Sequence, residues 1–106
     1  MSFVELKDVG QREVVPGCRA RFVHSDSMTI SYWDLEAGAV IPDHAHPHEQ
    51  ISTIVTGEME LTIGDEKRLM RPGMVAVIPS GVRHIVHALI ECYVIDVFHP
   101  VREEYR

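Results

Sequence analysis

The chain has 106 residues, close to the commonest domain size, and its 45% hydrophobic and 25% charged content is that of a globular domain able to bury a core without staples. A formal charge of −6, with Lys7 and Lys67 as the only lysines, argues against nucleic acid or an anionic membrane as partner, while leaving room for a small anionic substrate held by a metal or an arginine. No apolar stretch reaches membrane-spanning length, no basic segment followed by a long apolar run opens the chain, and Cys18 and Cys92 lack the spacing of a zinc knuckle or redox motif; a cytoplasmic protein with reduced, packed thiols is expected.

In chain order the pattern is one of short strands separated by turn residues, which predicts an all-β sandwich or barrel. Arg19 to His24 is a first candidate strand. Met28 to Leu35 is β-branched and aromatic and ends before Glu36-Ala37-Gly38. The stretch from Gly38 to Gln50 reads as irregular, because Pro42 and Pro47 interrupt it. Gln50 to Thr56 runs into Gly57, and Glu58 to Ile63 alternates polar and apolar, as a strand with one packed face does. Gly64-Asp65-Glu66 is a hairpin turn, Lys67 to Arg71 returns, and Pro72-Gly73 turns again. Met74 to Ile78 reads as a buried run ending at Pro79-Ser80-Gly81. Arg83 to Ala88 and Glu91 to Phe98 complete the strands, and Pro100 to Arg106 is compatible with one helical turn. A single domain over residues 1–106 is expected, with its barrel core at about 28–99.

The segment His44-Ala45-His46-Pro47-His48-Glu49-Gln50 concentrates imidazole, carboxylate and carboxamide donors, and His84 follows a second set of turn residues. Imidazole is a common ligand for transition metals, and carboxyl or amide oxygen can complete the shell. A His-x-His pair puts both rings on one side of a strand with Ala45 pointing away, and only folding can bring His84 to them. One metal site is therefore expected, holding one divalent transition metal whose identity among nickel, zinc, iron and manganese the donors do not fix. Glu49 is an alternative fourth ligand, with Gln50 then facing away. His48 falls behind the ligands or at the rim, since Pro47 breaks the register. His24, His87 and His99 read as ordinary core or surface histidines.

Both segments resemble the paired motifs of the cupin superfamily. In the first, G-x5-H-x-H-x3-E-x6-G, the matches are Gly38, His44, His46 and Gly57, with Gln50 at the glutamate position. In the second, G-x5-P-x-G-x2-H-x3-N, the matches are Gly73, Pro79, Gly81 and His84, with Ala88 at the asparagine position. The resemblance implies a double-stranded β-helix, a jelly-roll barrel with its ligand site inside, and metal ligation by His44, His46, Gln50 and His84. With glutamine in place of glutamate the shell is neutral, so a divalent cation would keep its full charge and favour anionic ligands.

The run Asp96-Val97-Phe98-His99-Pro100-Val101-Arg102-Glu103, together with His-Pro-His-Glu-Gln, is similar to small bacterial cupins of pectin and alginate catabolism, which linearise 4,5-unsaturated monouronates. The resemblance places Asp96, Phe98 and Arg102 beside the metal, Asp96 to shuttle a proton and Arg102 to hold a substrate carboxylate. It implies a metal-dependent enzyme for a small, carboxylated, sugar-derived substrate, in a protein that pairs as a homodimer. Two rival readings are a metal-dependent dioxygenase of a small organic molecule and a non-catalytic sugar-binding or sensor cupin.

Overall fold

The computed structural model describes residues 2–106; Met1, the first residue of the expected domain, lies outside the described residues. Ten strands follow in order: β1 (Arg12–Val15), β2 (Cys18–His24), β3 (Thr29–Leu35), β4 (Val40–His44), β5 (Glu49–Thr56), β6 (Met59–Ile63), β7 (Glu66–Met70), β8 (Val75–Ile78), β9 (His84–Ala88) and β10 (Cys92–His99). Short 3-10 turns at Leu6–Asp8 and Glu103–Tyr105 flank them. The strands form two antiparallel sheets, one of six strands in the order β1-β2-β3-β10-β5-β8 and one of four in the order β4-β9-β6-β7. This is the all-β jelly-roll barrel expected of the sequence.

Period-2 side-chain alternation makes one face of each strand the barrel interior. Along β3, Thr29, Ser31, Trp33 and Leu35 are all buried, and along β10 the inward set is Cys92, Val94, Asp96 and Phe98. Register then sorts these residues into rows. Trp33, Val94 and Ile54 stand side by side across β3, β10 and β5. One step along, the row becomes Ser31, Asp96 and Ser52, and the next is Thr29, Phe98 and Gln50. One end of the interior is thus an apolar core, joined by Cys18, Ala20, Met59, Leu61 and Met70, and the other end is polar. Trp33 marks the boundary, with its ring edge-on to Phe22 and its Nε1–H donating to Ser31 Oγ at 2.8 Å. Both cysteines are buried and unpaired with each other, and burial pushes both thiols up from their ordinary value.

Two turns show how local chemistry sets this register. Ile63 pairs with Glu66, so Gly64-Asp65 is a two-residue hairpin loop; Gly64 has φ +60 at its first position, the left-handed value a type II′ turn demands there. Gly57 has φ +93, and a Cβ on it would lie 2.3 Å from the Glu91 carbonyl oxygen, so only glycine lets the β5–β6 turn approach β10.

Two expectations need correction. The stretch after Gly38 is not wholly irregular, because Val40–His44 is a strand. Pro42 is tolerated since β4 is an edge strand whose pairing with β9 is shifted between Ile41 and His44, where a missing N–H breaks no ladder bond. Nor is Met74 to Ile78 a buried run. β8 is an edge strand, and Val75 and Val77 are 57% and 65% exposed beside exposed Ile51 and Val55 of β5. A continuous apolar run looks like a strand covered on both faces; here one of those faces is the outer surface of the six-stranded sheet.

Candidate metal centre

His44 ends β4 and His84 begins β9, and the two are direct cross-strand partners. His46 follows in the β4–β5 loop, which the second motif holds in place: Gly81 N–H donates to the His46 carbonyl at 2.9 Å and Ser80 Oγ donates to the Pro47 carbonyl at 2.6 Å. Ligand-capable atoms of His44, His46 and His84 consequently lie within 4.8 Å of one another. Ala45 between them is exposed, as alternation predicts.

Backbone carbonyls assign the tautomers. His44 Nδ1 is 2.7 Å from the Pro42 oxygen, His46 Nδ1 3.1 Å from the His48 oxygen, and His84 Nδ1 3.0 Å from the Val82 oxygen. A carbonyl only accepts, so each Nδ1 carries the proton and each Nε2 presents a lone pair. Burial drives the pKa of His46 down to about 4, helped by the charge of Arg102, and burial also lowers that of His84. His46 and His84, which must be neutral to bind a metal, are thus held neutral near pH 7. His84 Nε2 is buried with no hydrogen-bond partner. Such an orphan is costly unless something electron-poor meets it.

Gln50 adds a second sign of a cation site. Its Nε2 donates to Asp96 Oδ2 at 3.0 Å, which turns Oε1 toward His46 Nε2 at 3.1 Å. With His46 protonated on Nδ1, two acceptors face each other at that distance and repel. Two donors bonded at about 2.1 Å and at right angles to one metal would stand about 3.0 Å apart, so the spacing suits a shared cation. The three imidazoles and the Gln50 oxygen fit a divalent metal. Glu49, the alternative ligand, is exposed, while Gln50 is buried on the inward face. His48 is buried, and its Nε2 donates to the Val101 carbonyl at 3.2 Å. His87 is largely exposed beside Glu60, and His24 bonds Thr29 and the Tyr105 carbonyl; neither belongs to the cluster.

Asp96 is 7% exposed, between Ser31 and Ser52, and its Oδ1 has no hydrogen-bond partner. Burial raises its pKa from 3.8 to about 6, against the opposing effects of Ser52, Gln50 and Arg102. Arg102 is not the solvated tail residue its position suggests, being 8% exposed. Its Nε donates to Glu104 at 2.7 Å rather than to Asp96. Its guanidinium carbon lies 4.7 Å from the ring centres of both Phe98 and Tyr105, a cation between two aromatic faces. Tyr105 is in turn stacked on Phe22 at 4.1 Å, and Arg12 and His24 both donate to its carbonyl. Sequence reading did not single out Tyr105, although a helical turn after Pro100 places it on the same side as Arg102, three residues before it.

Of the three histidines, His44 opens onto a cavity of about 250 Å³, lined also by Asp43, Gln50, Asp96, Phe98, Arg102 and Tyr105 on one side and by Val14, Val15, Trp33, Ile41, Pro42 and Val86 elsewhere. The arrangement defines a class: an antiparallel two-sheet β-barrel with a metal-capable three-histidine centre at the polar end of its interior. The cupin domain model matches residues 31–98, and the chain belongs to the cupin family. KdgF from a Halomonas species is 30% identical, the match spanning 100% of this chain and 99% of that one with a TM-score of 0.92. An uncharacterized protein of Streptomyces coelicolor is 28% identical over 91 residues, 85% of this chain and 87% of its own. Oxalate decarboxylase of Bacillus subtilis, described with Mn(II) centres, shares the fold over 92% of this chain and 29% of its own length, with a TM-score of 0.82 at 24% identity. No helix among the described residues is long and apolar enough to cross a membrane.

Proposed function

We propose that this chain is a metal-dependent enzyme that opens the ring of a small 4,5-unsaturated uronate, with His44, His46, Gln50 and His84 as metal ligands and Asp96, Phe98 and Arg102 acting on the substrate. The observation that carries the reading is the continuous set Gln50–Asp96–Phe98–Arg102 around one cavity beside three converging imidazoles. A bound divalent cation would polarise a substrate oxygen there. The terminal nitrogens of Arg102, whose plane Phe98 and Tyr105 fix, hold the substrate carboxylate in two parallel hydrogen bonds. Asp96, with a pKa raised to about 6, removes the proton of the anomeric hydroxyl. The bond from the anomeric carbon to the ring oxygen breaks, its electron pair passes through the enol to C4, and C4 takes up a proton from Asp96. The product is the linear keto form, with no net gain or loss of electrons. Trp33, Val14, Val15, Ile41 and Val86 give the cavity an apolar wall, and it has room for one sugar ring.

The neighbouring KdgF and the D-x-F-x-P-x-R-E run support this reading over a dioxygenase or a sensor. The test is incubation of metal-loaded protein with a 4,5-unsaturated monouronate. Loss of the absorbance of the conjugated double bond without oxygen uptake is expected. Oxygen uptake would indicate a dioxygenase, and binding without turnover a sensor; either result refutes the proposal. The homodimer expected from the sequence has an apolar face available in Ile51, Val55, Val75 and Val77, and sedimentation equilibrium measures its mass.

A further inference from the structure

His48 is the one histidine of the first motif that the proposed chemistry does not use. It is 9% exposed and outside the converging group of three, its ring edge-on to that of His46 with centres 5.5 Å apart. Its Nε2–H donates to the Val101 carbonyl at 3.2 Å, across 53 positions of sequence. That bond leaves Nδ1 as a buried acceptor with no partner. An apolar side chain would fill the same space without an orphaned atom, so packing alone does not account for an imidazole here. The backbone carbonyl of the same residue accepts the Nδ1–H of His46 at 3.1 Å, the bond that orients the His46 ring. Residue 48 therefore grips the His46 ring with its carbonyl and the backbone beside Arg102 with its side chain. On the far side, Arg102 N–H is fixed by Thr29 Oγ1 at 2.8 Å, and Tyr105 N–H by the Arg102 carbonyl at 3.0 Å.

We propose that His48 is a positioning residue that couples the metal-binding loop to the turn carrying Arg102 and Tyr105, so that a cation on His46 and an anion on Arg102 strengthen each other's binding. A cation that fixes the His46 ring fixes the carbonyl of residue 48 and narrows the motion of its imidazole. The turn then has less left to order when it takes a carboxylate, and by linkage the effect runs equally in the other direction. The inference rests on the three histidines binding a metal; it does not depend on which anion or reaction the site serves.

Hydrogen exchange of the amides of residues 101–106, with and without zinc ion, tests it in the wild type and in His48→Gln, His48→Asn and His48→Ala. A glutamine places an N–H donor where His48 has Nε2, and an asparagine places one only where it has Nδ1. In the wild type, zinc should slow exchange of the Arg102 and Tyr105 amides by about 5-fold, the factor one net hydrogen bond represents. His48→Gln should keep most of that protection, and His48→Asn and His48→Ala should lose it, with one zinc per chain in all. Exchange elsewhere in the barrel identifies a variant that has simply lost stability, and the glutamine–asparagine comparison then still decides. Equal zinc protection in His48→Ala and wild type, no difference between His48→Gln and His48→Asn, or wild type that binds zinc without slower exchange overturns the proposal. Failure of the wild type to bind zinc overturns the metal reading beneath it and is seen directly in the zinc content.

Discussion

Replacing Asp96 by asparagine should stabilise the metal-free protein while disabling it. At neutral pH the Asp96 carboxylate is ionised in a buried row, with one hydrogen bond from Gln50 to Oδ2 and none to Oδ1. Its pKa rises from 3.8 to about 6 on folding. Roughly two units at 1.36 kcal/mol each make the folded state about 3 kcal/mol less stable at pH 7.5 than with a neutral group at that position. Here the folded acid binds protons more tightly than the unfolded one, so the penalty is fully present above pH 6 and fades as pH falls, with roughly four-fifths of it gone by pH 4. Asparagine keeps the acceptor for Gln50 but cannot ionise. Its new N–H₂ needs an acceptor, for which Ser52 stands opposite, and an imperfect bond there reduces the gain to about 1–3 kcal/mol. Urea unfolding of chelator-treated wild type and Asp96→Asn at pH 7.5 and pH 4 measures the difference. The account predicts that the variant is more stable at pH 7.5, that the gap closes toward pH 4, and that turnover falls roughly 10²–10⁴-fold. A variant no more stable than wild type at pH 7.5, or a gap independent of pH, would refute the claim that function holds a strained carboxylate in place.

Three further outcomes follow from the same geometry. Metal-free protein should lose stability as pH falls from about 6.5 to about 4, because the unfolded chain then binds protons that folded His46 and His84 resist; Asp96 acts in the opposite sense over the same window, so the loss should be steeper in Asp96→Asn, as acid titration by circular dichroism would reveal. Gln50→Glu should keep the metal but weaken carboxylate binding and slow turnover by cancelling one positive charge, and equal or tighter carboxylate affinity by calorimetry would contradict the neutral-shell argument. Arg102→Lys keeps the charge but not the planar fork between Phe98 and Tyr105, so KM for a uronate should rise about 10-fold or more with kcat changed less.

What the sequence revealed and what it hid divide along physical lines. His44, His46 and His84 were legible because motif spacing and turn residues are local properties, and so was the Gly64 hairpin. The strand at Val40–His44 was hidden because Pro42 counts against a strand unless its edge position is known. Val75 and Val77 misled because periodicity cannot tell a fully covered strand from an edge strand with an apolar outer face. The row Ser31–Asp96–Ser52 exists only through the register of three strands, and the bond from His48 to Val101 only through folding. The resemblance pointed to Arg102, but its burial was not legible in the tail itself, because its aromatic contacts need Phe98 from β10 and a Tyr105 braced by Phe22 from β2.

The central claim is that three histidines and Gln50 hold one divalent metal, and anomalous diffraction from crystals of metal-replete protein, with metal content measured on the same sample, tests it most directly. The account predicts one metal per chain, with an anomalous peak about 2.0–2.2 Å from Nε2 of His44, His46 and His84 and a similar distance from Gln50 Oε1. A peak bound through Nδ1 atoms, a metal held by Glu49 or His48 with Gln50 turned away, or replete protein with no stoichiometric metal would contradict it.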